Sequence, residues 1–225
     1  MLVANVRLAL IIVGPPGAGK GTQARLLGEE FKFPHISTGD ILREAVKNQT
    51  ELGKKVKECI ESGSLVPDEL VDAIIAERLG REDCRQGFIL DGYPRTIPQA
   101  EFLRENFKQN GTRILTLGIA VEEEVLLKRL SCRWTCSKCS KTFSEDLVPG
   151  TANGRCDQCD GELVQRQDDN IEVIAERLQV YLKTTQPLIQ YYRNLGAYVE
   201  VDGDRSVDKI FNALIGIVND RTDLR

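Results

Sequence analysis

The chain has no long apolar run, no large surplus of either charge, and only one histidine, one tryptophan and one methionine among 225 residues. Each shortage excludes something. The longest apolar run, Leu8–Val13, falls well short of the roughly 20 apolar residues that a membrane-spanning helix needs. Arg7 precedes it as in a secretion signal, but the run passes straight into Gly14-Pro15-Pro16-Gly17 with no small-residue cleavage site, so it reads as a buried strand. Lys and Arg number 30 and Asp and Glu 34, a formal net charge of −4, which offers no electrostatic footprint for nucleic acid or an anionic membrane. No internal repeat or low-complexity linker is present. The sole histidine, His35, precedes a short apolar segment and reads as a packing residue. What remains, 41% hydrophobic and 28% charged residues, is ordinary for a folded globular chain and excludes disorder. The length fits one domain with at most a small insert.

Short apolar runs alternate with amphipathic stretches. Strands are expected at 7–13, 34–37, 87–91, 113–120 and 198–201. Helices are expected at 19–31, from Thr38 onward, and at 56–62, 68–79, 97–110, 121–133, 171–192 and 207–218. Strands separated by helices imply a parallel sheet with helices on both faces. Residues 134–165 break the pattern. They are rich in Cys, Gly and Ser and carry no sustained period, so they read as a small inserted module that something other than an apolar core must order.

Gly14-Pro15-Pro16-Gly17-Ala18-Gly19-Lys20-Gly21-Thr22 follows an apolar strand and opens a helix. That is the setting of a phosphate-binding loop: glycines let backbone N–H groups turn inward, the helix N-terminus adds positive potential, and Lys20 can reach the outer phosphates. The strict pattern has Ser or Thr directly after Lys; here Gly21 intervenes before Thr22. Asp91 ends the strand Phe88-Ile89-Leu90-Asp91, the place of an acid that serves Mg2+ in phosphate-loop enzymes. Gly92 and Pro94 then force a loop that presents Arg95, and Gln99 carries a carboxamide suited to reading a base edge. Upstream, Ser37-Thr38-Gly39-Asp40-Ile41-Leu42-Arg43 offers a hydroxyl, a helix start and an arginine one turn later.

The phosphate loop with its inserted Gly21, Ser37-Thr38-Gly39-Asp40, Asp91-Gly92-Tyr93-Pro94-Arg95-Thr96 and Arg166-Gln167-Asp168-Asp169, in this order, resemble the adenylate kinase family from Arg7 to Val218. The resemblance implies a phosphate-loop kinase with a central parallel sheet flanked by helices, reversibly converting Mg-ATP and AMP to two ADP. It implies that Gly17, Ala18, Gly19, Lys20, Gly21 and Thr22 hold the donor phosphates, and that Arg129, Thr142, Phe143 and Arg205 meet ATP, with Phe143 against the adenine. AMP falls to Thr38, Arg43, Gly92, Arg95, Gln99, Arg166 and Arg177, with Ser64, Leu65 and Val66 lining its base. Asp91 acts on Mg2+ through water. Lys20, Arg95, Arg129, Arg133, Arg166 and Arg177 converge on the transferred phosphate, with Arg129 and Arg133 spaced to share one helix face. The neighbouring reading is another nucleoside monophosphate kinase, acting on UMP or CMP or using GTP.

Four of the seven cysteines form Cys136-x2-Cys139 and Cys156-x2-Cys159, the spacing of a zinc ribbon, where four thiolates close a tetrahedral structural Zn2+ site. Cys59, Cys84 and Cys132 are scattered. Clustered thiols point to a reducing cytoplasm and a metal rather than to disulfides. The ribbon's basic residues, Arg133, Lys138, Lys141 and Arg155, stand beside several acids without interleaved aromatics, which argues against nucleic acid. The family carries its lid here, so the chain divides into a core at 1–133 and 166–225, containing a monophosphate-binding helical segment at 37–66, and a zinc-binding lid at 134–165. ATP, AMP and ADP are the expected partners, with no membrane and a monomeric state.

Overall fold

The computed structural model describes residues 7–144 and 154–222; the predicted bounds at 1 and 225, and residues 145–153 of the expected lid, lie outside them. The sheet grows from β1 (Leu8–Val13), buried along its whole length, as a strand covered on both faces must be. Beside it run β2 (His35–Ser37), β3 (Gly87–Asp91), β4 (Arg113–Ala120) and β8 (Tyr198–Asp202), in the order β2-β3-β1-β4-β8. Every pairing is parallel. The register sets Ile12 against Asp91, Ser37 against Asp91 and Val13 against Gly118. The carboxyl ends of the inner strands are therefore level, with β1 between β3 and β4, the position where open α/β sheets bind ligands.

Strand alternation divides the core in two. Leu8, Leu10 and Ile12 face a layer that includes Leu27 of α1 (Lys20–Phe31), Leu126 of α6 (Glu123–Ser131), Ile174 of α7 (Ile171–Val180) and Leu214 of α9 (Val207–Thr222). Ala9, Ile11 and Val13 face Leu42 of α2 (Thr38–Lys47), Val56 of α3 (Glu51–Ser62), Ile75 of α4 (Asp68–Leu79), Leu103 of α5 (Ile97–Asn110) and Leu188 of α8 (Pro187–Asn194). Among the described residues no helix is long and apolar enough to cross a membrane.

Helices α2 and α3 form a tight pair over the second layer. Thr50 caps α3, its hydroxyl oxygen accepting from Gly53 N–H at 3.0 Å. A Cβ on Gly53 would lie 2.0 Å from the Ala45 carbonyl oxygen, so the two backbones meet only because residue 53 has no side chain.

Two expected elements differ. The helix predicted for 121–133 ends at Ser131, and Arg133 opens β5 (Arg133–Cys136), so Arg129 and Arg133 share no helix face. The change follows from pairing: Trp134 and Thr135 lie opposite Phe143 and Thr142 of β6 (Thr142–Ser144), and Cys136 opposite Leu163 of β7 (Leu163–Val164), in an antiparallel sheet ordered β6-β5-β7. β-Branched and aromatic residues favour that pleated surface over a last helical turn. The helix predicted for 171–192 is interrupted by a π turn at Tyr181–Thr185, where Gln186 N–H reaches the Tyr181 carbonyl at 2.9 Å. Pro187 supplies no N–H and crowds the carbonyl four residues back, so the ladder must widen before α8 begins.

Gly53→Ala is expected to force α2 and α3 apart and to cost about 1–3 kcal/mol, the usual penalty of overpacking. Urea unfolding measures it; an unchanged midpoint would show that the pair yields freely.

Candidate functional site

The phosphate loop fills the turn between β1 and α1. Lys20 Nζ donates to the carbonyls of Gly14 at 2.8 Å and Pro15 at 2.9 Å, which folds its ammonium back over the loop. Burial, together with Arg95, Arg177 and Arg133, pushes Lys20 down to about 7 against the pull of Asp91. A Cβ at Gly21 would stand 3.2 Å from Asp91 Oδ2, so the departure from the strict loop pattern leaves room for this carboxylate. Burial opposes the Asp91 charge, but His35, Lys20 and Arg95 outweigh it and hold its carboxyl below the ordinary value. His35 Nε2 lies 3.4 Å from Asp91 Oδ2. Nε2 makes no aligned hydrogen bond there. The histidine expected only to pack therefore stands beside the site's acid.

Five arginines gather round the same point. Arg95 Nε donates to the Gly92 carbonyl at 2.9 Å, and burial with Arg177 lowers it to about 10. Arg177 Nη1 donates to Asp169 Oδ1 at 3.0 Å and lies 3.1 Å from Asp168 Oδ2. Arg133 makes a bidentate pair with Asp169, Nε donating to Oδ2 at 2.7 Å and Nη2 to Oδ1. Arg166 Nε donates to Thr135 Oγ1 at 3.0 Å; burial, Arg43 and Arg133 lower it to about 10. Arg43 Nη2 donates to Asp40 Oδ1 at 2.7 Å and its Nη1 lies 3.7 Å from Asp168 Oδ2. Arg129 Nη2 donates to the Gly203 carbonyl at 3.0 Å. The loop after β8 that carries Gly203 also carries Arg205, which is exposed and donates from Nε to Asp202 Oδ2 at 3.0 Å.

Two adjoining cavities open onto the cluster. The first is lined on its polar side by Thr38, Arg43, Gly92, Arg95, Gln99 and Arg177, and elsewhere by Ser64, Leu65 and Val66. Thr38 Oγ1 donates to the Gly92 carbonyl at 2.9 Å. The second takes in Gly14, Pro16 and Lys20 and reaches the π turn through Tyr181 and Thr185. Both cavities share Gly63, Leu65, Gly92, Arg95 and Arg177. Arg166, expected at the first cavity, lies outside its lining. Sequence reading missed Leu42, Ile60 and Val71 on the first cavity's apolar wall, because helical periodicity marks such residues only as core. Cys59, to which no role was given, lines that wall too. The π turn carried a signal in Pro187, whereas nothing local marked His35.

Cys136, Cys139, Cys156 and Cys159 place their Sγ atoms within 4.8 Å of one another. Burial opposes the Cys136 thiolate, but the backbone N–H groups of Cys139 and Lys138 win and lower the thiol to about 6. Four convergent sulfurs, with one already inclined to ionise, fit a tetrahedral metal. Phe143 is buried with Cys136, Cys156 and Leu163 in a small core of its own, Trp134 packing against it. Lys141 Nζ lies 5.1 Å from its ring centroid.

The family model described as Adenylate kinase matches residues 12–197. A curated adenylate kinase of Fervidobacterium nodosum is 47% identical over 210 residues, 93% of this chain and 96% of that protein. One of Caldicellulosiruptor bescii is 51% identical over 201 residues, 89% and 94% of the two chains. One of Archaeoglobus fulgidus is 47% identical over 210 residues, 93% and 97%.

With Lys20 lowered to about 7 by burial and the neighbouring arginines, a bound polyanion that restores its ordinary value must draw in a proton. Calorimetry with inorganic tripolyphosphate in buffers of different ionisation enthalpy is expected to show this uptake at about pH 8, where the free lysine is mostly neutral, and to lose it at about pH 5.5. Lys20→Met removes the difference between the two; equal proton linkage in both proteins at the higher pH contradicts the lowered value.

Proposed function

The chain belongs to the adenylate kinase family and is an ATP:AMP phosphotransferase, and from that premise we propose how its own residues divide the work. AMP occupies the first cavity. Its base meets Gln99, Thr38 and the backbone of Ser64, Leu65 and Val66, while Arg43, Arg95 and Arg177 take its phosphate, with Arg166 above it. Gly17 to Thr22 cradle the donor phosphates, with Lys20 on the outer ones. The donor base lies between Thr142 and Phe143 of the lid and the loop of Arg129 and Arg205. Asp91 would hold Mg2+ through water, and the ion would supply neutralisation of phosphate charge.

The observation that supports this division is the sharing of Arg95 and Arg177 by the two cavities. Phosphoryl transfer asks little covalent help of a protein. It needs two phosphates held in line, the spreading charge neutralised and water kept out. Guanidinium groups at the junction can grip both phosphates in bidentate fashion. Arg133 and Arg166 come from the two ends of the lid, and Arg133 already bears on Lys20. A lid that seats these charges on the phosphates expels water in the same movement, which protects ATP from hydrolysis.

We assign the lid to 134–165 with its sheet beginning one residue earlier, and the four cysteines to a structural Zn2+. Four thiolates close the tetrahedron and leave no position for water. The metal orders a segment whose own core is small. The free thiols suit a reducing cytoplasm, and we take the protein to act there as a monomer.

A coupled assay with ATP and each monophosphate in turn tests the division of labour. AMP is expected to exceed UMP, CMP and GMP in kcat/KM by about a hundredfold or more. In the same assay Arg133→Ala and Arg166→Ala are each expected to lower kcat about 10³-fold while nucleotide Kd changes little. Equal turnover of UMP overturns the acceptor assignment, and near-normal kcat in both variants overturns the role of the lid arginines.

Metal analysis of protein purified under reducing conditions is expected to give about one Zn2+ per chain. Cys136→Ser is expected to lower Tm yet leave a folded, partly active core. Protein without bound metal removes the assignment.

A further inference from the structure

We propose that Asp68, which lines neither cavity, fixes which way round Gln99 presents its carboxamide and thereby sets the selectivity of the acceptor site for its base. Asp68 touches no substrate in this scheme and is a positioning residue; the inference rests on the reading of Gln99 as the base-contacting side chain.

Gln99 sits in the first turn of α5, 2% exposed, with its side chain on the first cavity. Its Oε1 accepts from the Arg95 backbone N–H at 2.7 Å, and its Nε2 donates to Asp68 Oδ1 at 2.7 Å. The other carboxylate oxygen, Asp68 Oδ2, accepts from Thr96 Oγ1 at 2.7 Å. Thr96 is held in turn because its hydroxyl oxygen caps α5 by accepting from Gln99 N–H at 3.3 Å. The carboxylate is thus tethered at one oxygen and acts on Gln99 with the other.

A carboxamide has two orientations of nearly equal shape that exchange oxygen for nitrogen. An ionised carboxylate only accepts, so it admits only Nε2. Turning the amide over would press Oε1 on a carboxylate oxygen and Nε2 on the Arg95 N–H, two like pairs in a buried place. What stays available to a ligand is one N–H and one oxygen lone pair in a fixed order. Adenine presents an amino donor at C6 beside an acceptor ring nitrogen. A 6-oxopurine presents an acceptor oxygen beside a ring N–H, the reverse order. A fixed amide serves one of the two, whereas an amide free to turn serves both. The same Oε1 also holds the backbone of Arg95, whose carbonyl accepts from Thr185 Oγ1 at 3.0 Å, so the element that reads the base is tied to the one that grips phosphate.

The test is kcat/KM for AMP and for IMP, the 6-oxo analogue, in wild type, Asp68→Ala, Gln99→Ala and the double variant. Glu69→Gln controls for charge, since both acids lie in the first turn of α4, where either favours the helix end. The AMP/IMP ratio is expected to fall about tenfold or more in Asp68→Ala, to fall as far in Gln99→Ala, to fall no further in the double variant and to hold in Glu69→Gln. A merely structural defect lowers both substrates together and leaves the ratio alone; that result in Asp68→Ala, with the ratio lost in Gln99→Ala, overturns the inference and spares the base-contact reading. A ratio unmoved in both single variants overturns that reading and the inference with it. A ratio that falls in Glu69→Gln as in Asp68→Ala assigns the effect to the helix charge and overturns the inference. If Asp68→Ala does not fold, Asp68→Asn replaces it: a weaker, neutral partner is expected to lower the same ratio about threefold, and a wild-type ratio there overturns the proposal.

Discussion

Six cationic side chains, Lys20, Arg43, Arg95, Arg133, Arg166 and Arg177, are gathered in one largely buried cleft, and the rest of the architecture answers to the cost of burying them together. Isolated buried charges are costly, and an arginine cannot escape by shedding its proton. Asp40, Asp91, Asp168 and Asp169 supply partial compensation, and the Gly14, Pro15 and Gly92 carbonyls hold the remaining donors. Burial outweighs it at Lys20, Arg95 and Arg166, whose values are lowered. A polyanion placed there would offset that cost with charge-assisted hydrogen bonds.

The acids also decide where each arginine comes from. Asp169 receives Arg133 from the beginning of the lid and Arg177 from α7, while Asp168 receives Arg177 and, more distantly, Arg43 of α2. One short turn therefore joins lid, core and monophosphate segment. Lys47 of α2 reaches the Ser137 carbonyl in the first cysteine knuckle at 3.3 Å, so α2 and the cysteine segment meet directly. The small core around Phe143 and the cysteines packs against β5, the strand that Arg133 opens.

Much of the site was legible in the sequence because its parts are local. A glycine-rich turn between an apolar strand and a helix, Asp91 at a strand end, and two Cys-x2-Cys knuckles each carry their chemistry within a few residues. The parallel α/β sheet followed from strands alternating with helices. The approximate extents of α1, α4 and α5 followed from the helical period of their apolar residues. Where the reading failed, a longer-range competitor was at work. Arg133 belongs to a strand because it pairs with Ser144 of β6, a partner that helical spacing from Arg129 could not register. The helix through Pro187 was broken by a single missing N–H.

The sequence by itself determined the class of chemistry, since phosphate loops and thiol knuckles are short backbone and side-chain devices whose geometry is set by neighbouring residues. Only the tertiary structure decided which charges meet. It put His35 against Asp91 across the β2–β3 pairing, tied Arg129 to the Gly203 carbonyl, and brought Asp68 from a different helix to the carboxamide of Gln99. These are contacts between residues far apart in the chain or on different elements. Their energies depend on distance and burial, which become defined only when the sheet register and the two layers of helices are in place.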